Sequence, residues 1–224
     1  MDRALAIFLA FVGGAVVVIG VAAATVWLRG TPAPVRPSTT FEAVDHDPSA
    51  ATELIVAWQR WRTATFVSEG TWTRTIDGVG EPLSGAVYTA QEPPRRTVVR
   101  LGALVEQVDG SVAACSPSTD EIVAPTCLAG DGLGYNDQVA IELALVGGYV
   151  SGDARLYNVG RGDPGCFRAE QIVNVLASPW GRWAEFCFDP SSGALASARV
   201  RRPSAVDVEI ISVIRTDVSD ADFG

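Results

Sequence analysis

Twenty-five consecutive residues without a charge, Ala4 to Leu28, constrain this chain more than any other feature. The run reads ALAIFLAFVGGAVVVIGVAAATVWL. As a helix rising about 1.5 Å per residue it spans roughly 37 Å, more than the ~30 Å hydrocarbon core of a bilayer. A cleaved secretory leader carries a shorter apolar region, about 7–15 residues. Ala22-Ala23-Ala24 offers small residues for cleavage, but the length favours a retained transmembrane anchor. Trp27 suits the headgroup level at the end of such a span. Arginines do not orient it, because Arg3 precedes the span and Arg29 and Arg36 follow it.

Cysteines supply the orientation. Cys115, Cys127, Cys166 and Cys187 all follow the span, an even number at wide spacing. That pattern reads as two disulfides in an oxidising compartment. Three pairings are open, and the sequence-neighbour one is the simplest. Each such bridge would contribute on the order of 3 kcal/mol. Zinc is disfavoured, since there is no C-x-x-C and the lone histidine, His46, is distant in sequence. No cofactor is expected. A formal net charge of −9 argues against nucleic acid, which needs a basic face.

The expected division is a transmembrane anchor over 1–29, a linker over 30–46 and one extracytoplasmic domain over 47–224. Pro32, Pro34 and Pro37 make the linker extended and semi-rigid. Asp47-Pro48 is a helix start, with a capping carboxylate before a proline at the first helical position. Ala51, Leu54, Ile55, Trp58 and Trp61 follow at helical spacing, predicting a helix over 48–63, with Arg60 and Arg62 off its apolar stripe. From Thr65 the period becomes two, which predicts strands over 65–76, 83–91, 96–101, 104–108 and 111–115, with turns at Asp77-Gly78 and Asp109-Gly110. Residues 116–136 read as a loop. Val139, Leu143 and Val146 predict a short hydrophobic helix over 137–147, ended by Gly147-Gly148. Late strands are expected over 166–169, 183–188, 194–201 and 206–214. Asp217, Asp220 and Asp222 read as a frayed acidic tail.

Motifs that suggest chemistry have simpler explanations. Gly160-Arg161-Gly162-Asp163-Pro164-Gly165 matches a dinucleotide fingerprint in letters only. Pro164 and the strand after it remove the βαβ context, leaving a tight turn. Gly130-Asp131-Gly132-Leu133-Gly134 lacks the Lys-Ser/Thr of a phosphate loop. His46, between two aspartates beside the linker, reads as solvated, and without it no nucleophile–histidine set can be built. Glu69, Glu106, Glu185 and Asp207 read as the solvent face of a half-exposed sheet. Two arginine spots, Arg95, Arg96 and Arg100 with Arg199, Arg201 and Arg202, read as edge and solvent-face residues. Trp58, Trp61, Trp72, Trp180 and Trp183 either fill a core or line an apolar cavity.

The order of elements resembles a known superfamily. A helix runs into a long Thr/aromatic strand (AWQRWRTATFVSEGTWTRTIDG). A meander with a D-G turn follows (LVEQVDGSVAAC), then a hydrophobic helix (DQVAIELALVGGYV), then strands with an aspartate turn before an arginine-rich strand (AEFCFDPSSGALASARVRR). This looks like the periplasmic lipoprotein-carrier and mycobacterial lipid-binding lipoprotein (LolA/LppX-like) superfamily over residues 48–214. The resemblance implies an α+β fold: a curved antiparallel β half-barrel with helices packed on its concave face, here behind the N-terminal transmembrane helix. It also implies a non-catalytic binding protein for a lipid or other acyl-chain ligand. Trp58, Trp72, Val139, Leu143 and Val146 are the expected cavity lining, with residues 139–146 at its mouth or inside it. The chain departs from those relatives in having no cysteine for lipidation after the apolar span, so it would hold a ligand near one membrane. The other expectation is an envelope protein-interaction or sensor module without a cavity, presenting an exposed face of apolar and arginine residues.

Overall fold

A computed structural model describes residues 41–100, 103–108, 110–116, 126–173 and 178–223. The anchor expected over Ala4–Leu28 and most of the linker lie outside the described residues. Eleven strands form one antiparallel sheet in the order β6-β5-β4-β3-β2-β1-β11-β10-β9-β8-β7. The first meander comprises β1 Phe66–Ile76, β2 Leu83–Glu92, β3 Arg95–Arg100, β4 Ala103–Val108, β5 Ser111–Ser116 and β6 Thr126–Asp131. The second comprises β7 Tyr157–Arg161, β8 Cys166–Gln171, β9 Trp183–Phe188, β10 Leu195–Arg202 and β11 Ala205–Arg215. One ladder, β1 against β11, joins them. Helices α1 (Pro48–Thr63) and α2 (Tyr135–Val150) pack on each other and on β7.

Register assigns the two faces of the sheet. Trp72 opposes Gly85 and Glu209, Arg74 opposes Asp207, and Gly70 opposes Val87 and Ile211. The same face continues through Ala198 and Val200 to Phe186 and Ala184, then to Phe167 and Ala169. On β7–β10 this face carries the main core, where Phe167, Phe186 and Phe188 meet Leu54 and Trp58 of α1 and Val146 and Val150 of α2. Trp58 stacks on Trp180 at 5.5 Å and meets Phe186 edge-on at 5.2 Å. Such aromatic pairs add about 1 kcal/mol each beyond their burial.

Several expectations need correction. Helix α2 starts at Tyr135 and runs through Gly147-Gly148 to Val150. Val150 is fully buried in the main core, and that burial outweighs the ~1 kcal/mol that each helical glycine costs. Part of the expected loop over 116–136 is β6, paired residue by residue with β5 and setting Cys127 opposite Cys115. Local glycine-rich composition does not reveal a strand whose support comes from a partner. Strand β7 was likewise not expected. The glycine motif is a hairpin turn between β7 and β8, with Gly165 at φ +81°.

Disulfide Cys166–Cys187 bridges opposed positions of β8 and β9. Cys115 is also disulfide-bonded. The acidic tail is not frayed. Asp220–Phe223 forms a short 3-10 helix, and Phe223, 1% exposed, packs with Val67 and Ala90 on the outer face of β1 and β2. The Arg95 guanidinium lies 3.9 Å from the centre of the Phe223 ring, and the Tyr88 hydroxyl donates to the Asp222 carbonyl at 2.7 Å. Burying one aromatic side chain is worth a few kcal/mol, enough to hold a short charged segment.

Phe223→Ala should therefore destabilise the domain by about 3 kcal/mol in denaturant melts. The tail should also loosen in acid. Hydrogen bonds from Arg215 and from Ser219 hold the Asp222 carboxyl down at about 2. A depressed carboxylate stabilises the fold above its unfolded-state value and loses that contribution as pH falls through the folded one. Exchange of the Ser219 amide, which donates to Asp222 at 2.8 Å, should speed up relative to its intrinsic rate as pH falls from about 4 to about 2.

Candidate functional site

The end of α1 and the start of α2 meet the sheet at a cluster of charge. Leu54, Trp58 and Arg62 are spaced by four residues, so they share one face of α1. Arg62 therefore lies on the buried stripe, not off it, and is only 4% exposed. Its Nε donates to Glu142 Oε2 of α2 at 2.8 Å, and Trp58 Nε1 donates to Glu142 Oε1 at 2.8 Å. Glu142 thus ties the two helices together. Tyr135, fully buried, donates to the Arg62 carbonyl at 2.7 Å, with Gln91 Oε1 at 3.2 Å. Gln91 of β2 donates to the carbonyls of Trp61 and Ala64 at 2.6 and 2.8 Å. Those contacts satisfy carbonyls at the end of α1.

Arg96 of β3 is the register partner of Gln91, so it lies on the same face of the sheet. The Arg62 and Arg96 guanidinium carbons are each 5.8 Å from the centre of the Trp61 ring. Such contacts are worth about 1 kcal/mol when half-buried. Arg62 Nη1 and Arg96 Nε are buried and have no hydrogen-bond partner among the described residues. Burial, and then the Arg62 charge, push Arg96 down to about 9. Among the described residues two guanidiniums thus meet here with one carboxylate, Glu142, between the helices.

Two further ion groups continue along this face. Asp207 receives Arg74 at 2.5 and 2.7 Å and Arg202 at 2.7 Å. Burial alone would raise the Asp207 carboxyl, but the hydrogen bonds from Arg74 and Arg202 outweigh it and hold the carboxyl below its ordinary value. Arg100 pairs with Glu209. The solvent-face reading therefore fails for Arg96, Arg100, Arg202 and Asp207. It holds for Glu69, which is exposed. Glu185 is buried and takes Arg168 at 2.8 Å. The Glu106 side chain lies outside the described residues. Arg199 and Arg201 sit on the outer side, against Phe41 and Asp77.

The expected lining residues separate. Trp58 and Val146 are in the main core, and Leu143 packs against it. Val139 is buried one turn after Tyr135. Trp72 belongs to another cluster, with Val87 and Ile211, and the Arg74 guanidinium lies 5.2 Å from its ring centre. Two surface depressions, of about 410 and 250 Å³, flank the start of α1 and are lined by none of these five residues. His46 edges the larger one, and it is not a free linker residue. Its Nδ1 accepts from the Val159 amide at 3.3 Å, and burial lowers its pKa.

Sequence reading missed Arg62, Gln91, Arg96, Tyr135 and Glu142. The four-residue spacing from Leu54 was the available signal for Arg62. Parity put Arg96 and Arg100 on one face of β3, but not which face met the helices.

No family model and no curated protein matches this chain. Solved structures do. A LolA superfamily protein from Nitrosomonas europaea is 9% identical, with 78% of this chain and 97% of that one covered and a TM-score of 0.33. Lipoprotein LppX of Mycobacterium tuberculosis is 12% identical, covering 77% and 98%, at 0.37. MucB, solved in complex with MucA(peri), is 14% identical, covering 80% of this chain and 59% of that one, at 0.36. The likeness is one of LolA/LppX-like fold alone, and at these scores it carries no argument about what the chain binds.

Removing the acid of the Arg74–Asp207–Arg202 group leaves two half-buried cations unpaired. Asp207→Asn should cost about 3 kcal/mol in chemical denaturation. It should also flatten the acid limb of the stability profile. The depressed carboxyl contributes above its unfolded value and loses that contribution as pH falls through the folded one.

Proposed function

We propose that this chain is a membrane-anchored, extracytoplasmic binding protein for an acyl-chain ligand, acting without a catalytic step. One observation carries the reading. Helix α2 is apolar on more than its packed side: Val139, Val146 and Val150 are buried, while Ile141 and Leu145 stay 39% and 38% exposed. A helix with apolar residues all round calls for a second apolar partner. Ile141 and Leu145 bracket Glu142, so that exposed strip runs beside the guanidinium pair.

An acyl chain would lie along this side of α2, and not in a preformed chamber. Trp58, Val139, Leu143 and Val146 would hold α2 in place behind that strip, on its packed side. The apolar run Ala4–Leu28 would keep the domain at one membrane. The Cys166–Cys187 bridge suits an oxidising compartment outside the cytoplasm.

A protein partner in the envelope is a second reading, favoured by Leu128, which is 76% exposed on the edge strand β6. An apolar side chain on a sheet edge suits strand addition by a partner.

Full-length chain in detergent, irradiated with a diazirine-bearing C18 fatty acid, should become labelled within residues 135–150. Labelling confined to residues 4–28 would overturn the acyl-ligand reading. Leu128→Glu should leave labelling of α2 unchanged. If it instead abolishes capture of an envelope protein by cross-linking in cells, the second reading gains the ground.

A further inference from the structure

The unpartnered guanidinium nitrogens beside Glu142 carry an inference about the ligand's head. We propose that Arg62 and Arg96 form a recognition site for the anionic head of an amphiphile whose apolar chain runs along Ile141 and Leu145. The inference rests on the acyl-ligand reading above and names the other end of that ligand.

Charge balance leads to it first. Arg62 is 4% exposed and spends Nε on Glu142, leaving Nη1 buried and unbonded among the described residues. Arg96 places an unbonded, buried Nε on the same Trp61 ring. Buried cations are ordinarily paired, because an unsatisfied charged donor costs several kcal/mol. Here two cations face one carboxylate. A planar or tetrahedral oxyanion that accepts from both guanidiniums would complete the set, since a guanidinium fork matches carboxylate and phosphate oxygens.

Rigidity is the second argument. Tyr135 holds the Arg62 carbonyl, Gln91 holds the carbonyls of Trp61 and Ala64, and Glu142 holds Arg62 Nε. Arg62 is therefore fixed before a ligand arrives, which lowers the entropic cost of binding. Elsewhere on this face, among the described residues, Arg74, Arg202 and Arg100 each reach a carboxylate directly, Arg74 and Arg202 sharing Asp207 and Arg100 on Glu209, whereas Arg96 reaches none. Half-exposed Glu142, beside Ile141 and Leu145, puts the site at the rim of the apolar strip, where a head and a chain can be met together.

The test compares two photoreactive probes on the full-length chain in detergent, a diazirine C18 fatty acid and the matching C18 alcohol. The acid should label residues 135–150 at least about tenfold more efficiently than the alcohol, in line with one desolvated charge-assisted contact. In Arg96→Met the ratio should fall towards one while alcohol labelling is kept. Ligand-free Arg96→Met should melt no lower than the parent, because it removes an unpaired, half-buried cation. A ratio that survives in Arg96→Met overturns the inference.

If that variant fails to fold, the parent chain decides. The methyl ester of the same acid, which keeps the carbonyl and loses the charge, should label no better than the alcohol. An ester that labels as well as the acid overturns the inference. Equal labelling by acid and alcohol in the parent removes the head site and leaves the acyl-ligand reading standing. Labelling of α2 by neither probe removes both. Inorganic phosphate that displaces the acid as well as unlabelled oleate does would assign the site to a free anion, and the amphiphile would be lost.

Discussion

The ladder between β1 and β11 is the constraint on which the molecule depends. Two meanders leave the chain in sequence, and only this pairing makes them one sheet. Its register shifts between Glu69 and Gly70. A Cβ at position 70 would collide with the Ile210 carbonyl oxygen, so the close approach needs glycine. The seam also decides which side chains meet. It sets Arg74 beside Asp207 and brings Trp72, Val87 and Ile211 together. Without it the aromatic half and the arginine half would be unrelated surfaces.

Those halves have different physics. On β7–β10 the helix-bearing face is a solid aromatic core that holds α1 and α2. Across the seam the same face is lined with arginines matched to Asp207 and Glu209. The boundary falls at the last turn of α1, where Trp58 and Arg62 both bind Glu142. That is where the apolar strip of α2 begins and where two guanidinium nitrogens have no partner among the described residues. A binding protein for an amphiphile needs such a boundary, since the two ends of its ligand require opposite surroundings.

Much of this was legible in order but not in depth. The capped helix after Asp47, the period-two strand from Phe66 and the hydrophobic helix around Val139–Val146 were all visible, because local periodicity encodes them. Strands β6 and β7 were not, because their residues show strand character only once paired, β6 with β5 and β7 with β8. Asp217, Asp220 and Asp222 read as a loose end, although the one aromatic among them, Phe223, is enough to dock a short tail. Arginine caused the largest error. Its charge suggests solvent, yet Arg62, Arg96 and Arg100 follow the spacing of the buried face, and their long stems and partners allow it. Tryptophan was ambiguous for the opposite reason, since filling a core and lining a cavity ask for the same side chain.

The most direct measurement of the central claim is a structure of the full-length chain bound to a C18 fatty acid. The account predicts the carboxylate within hydrogen-bond reach of Arg62 Nη1 and Arg96 Nε, with the alkyl chain against Ile141 and Leu145 of α2. A bound fatty acid whose carboxylate faces solvent, or whose chain lies away from α2, would contradict it.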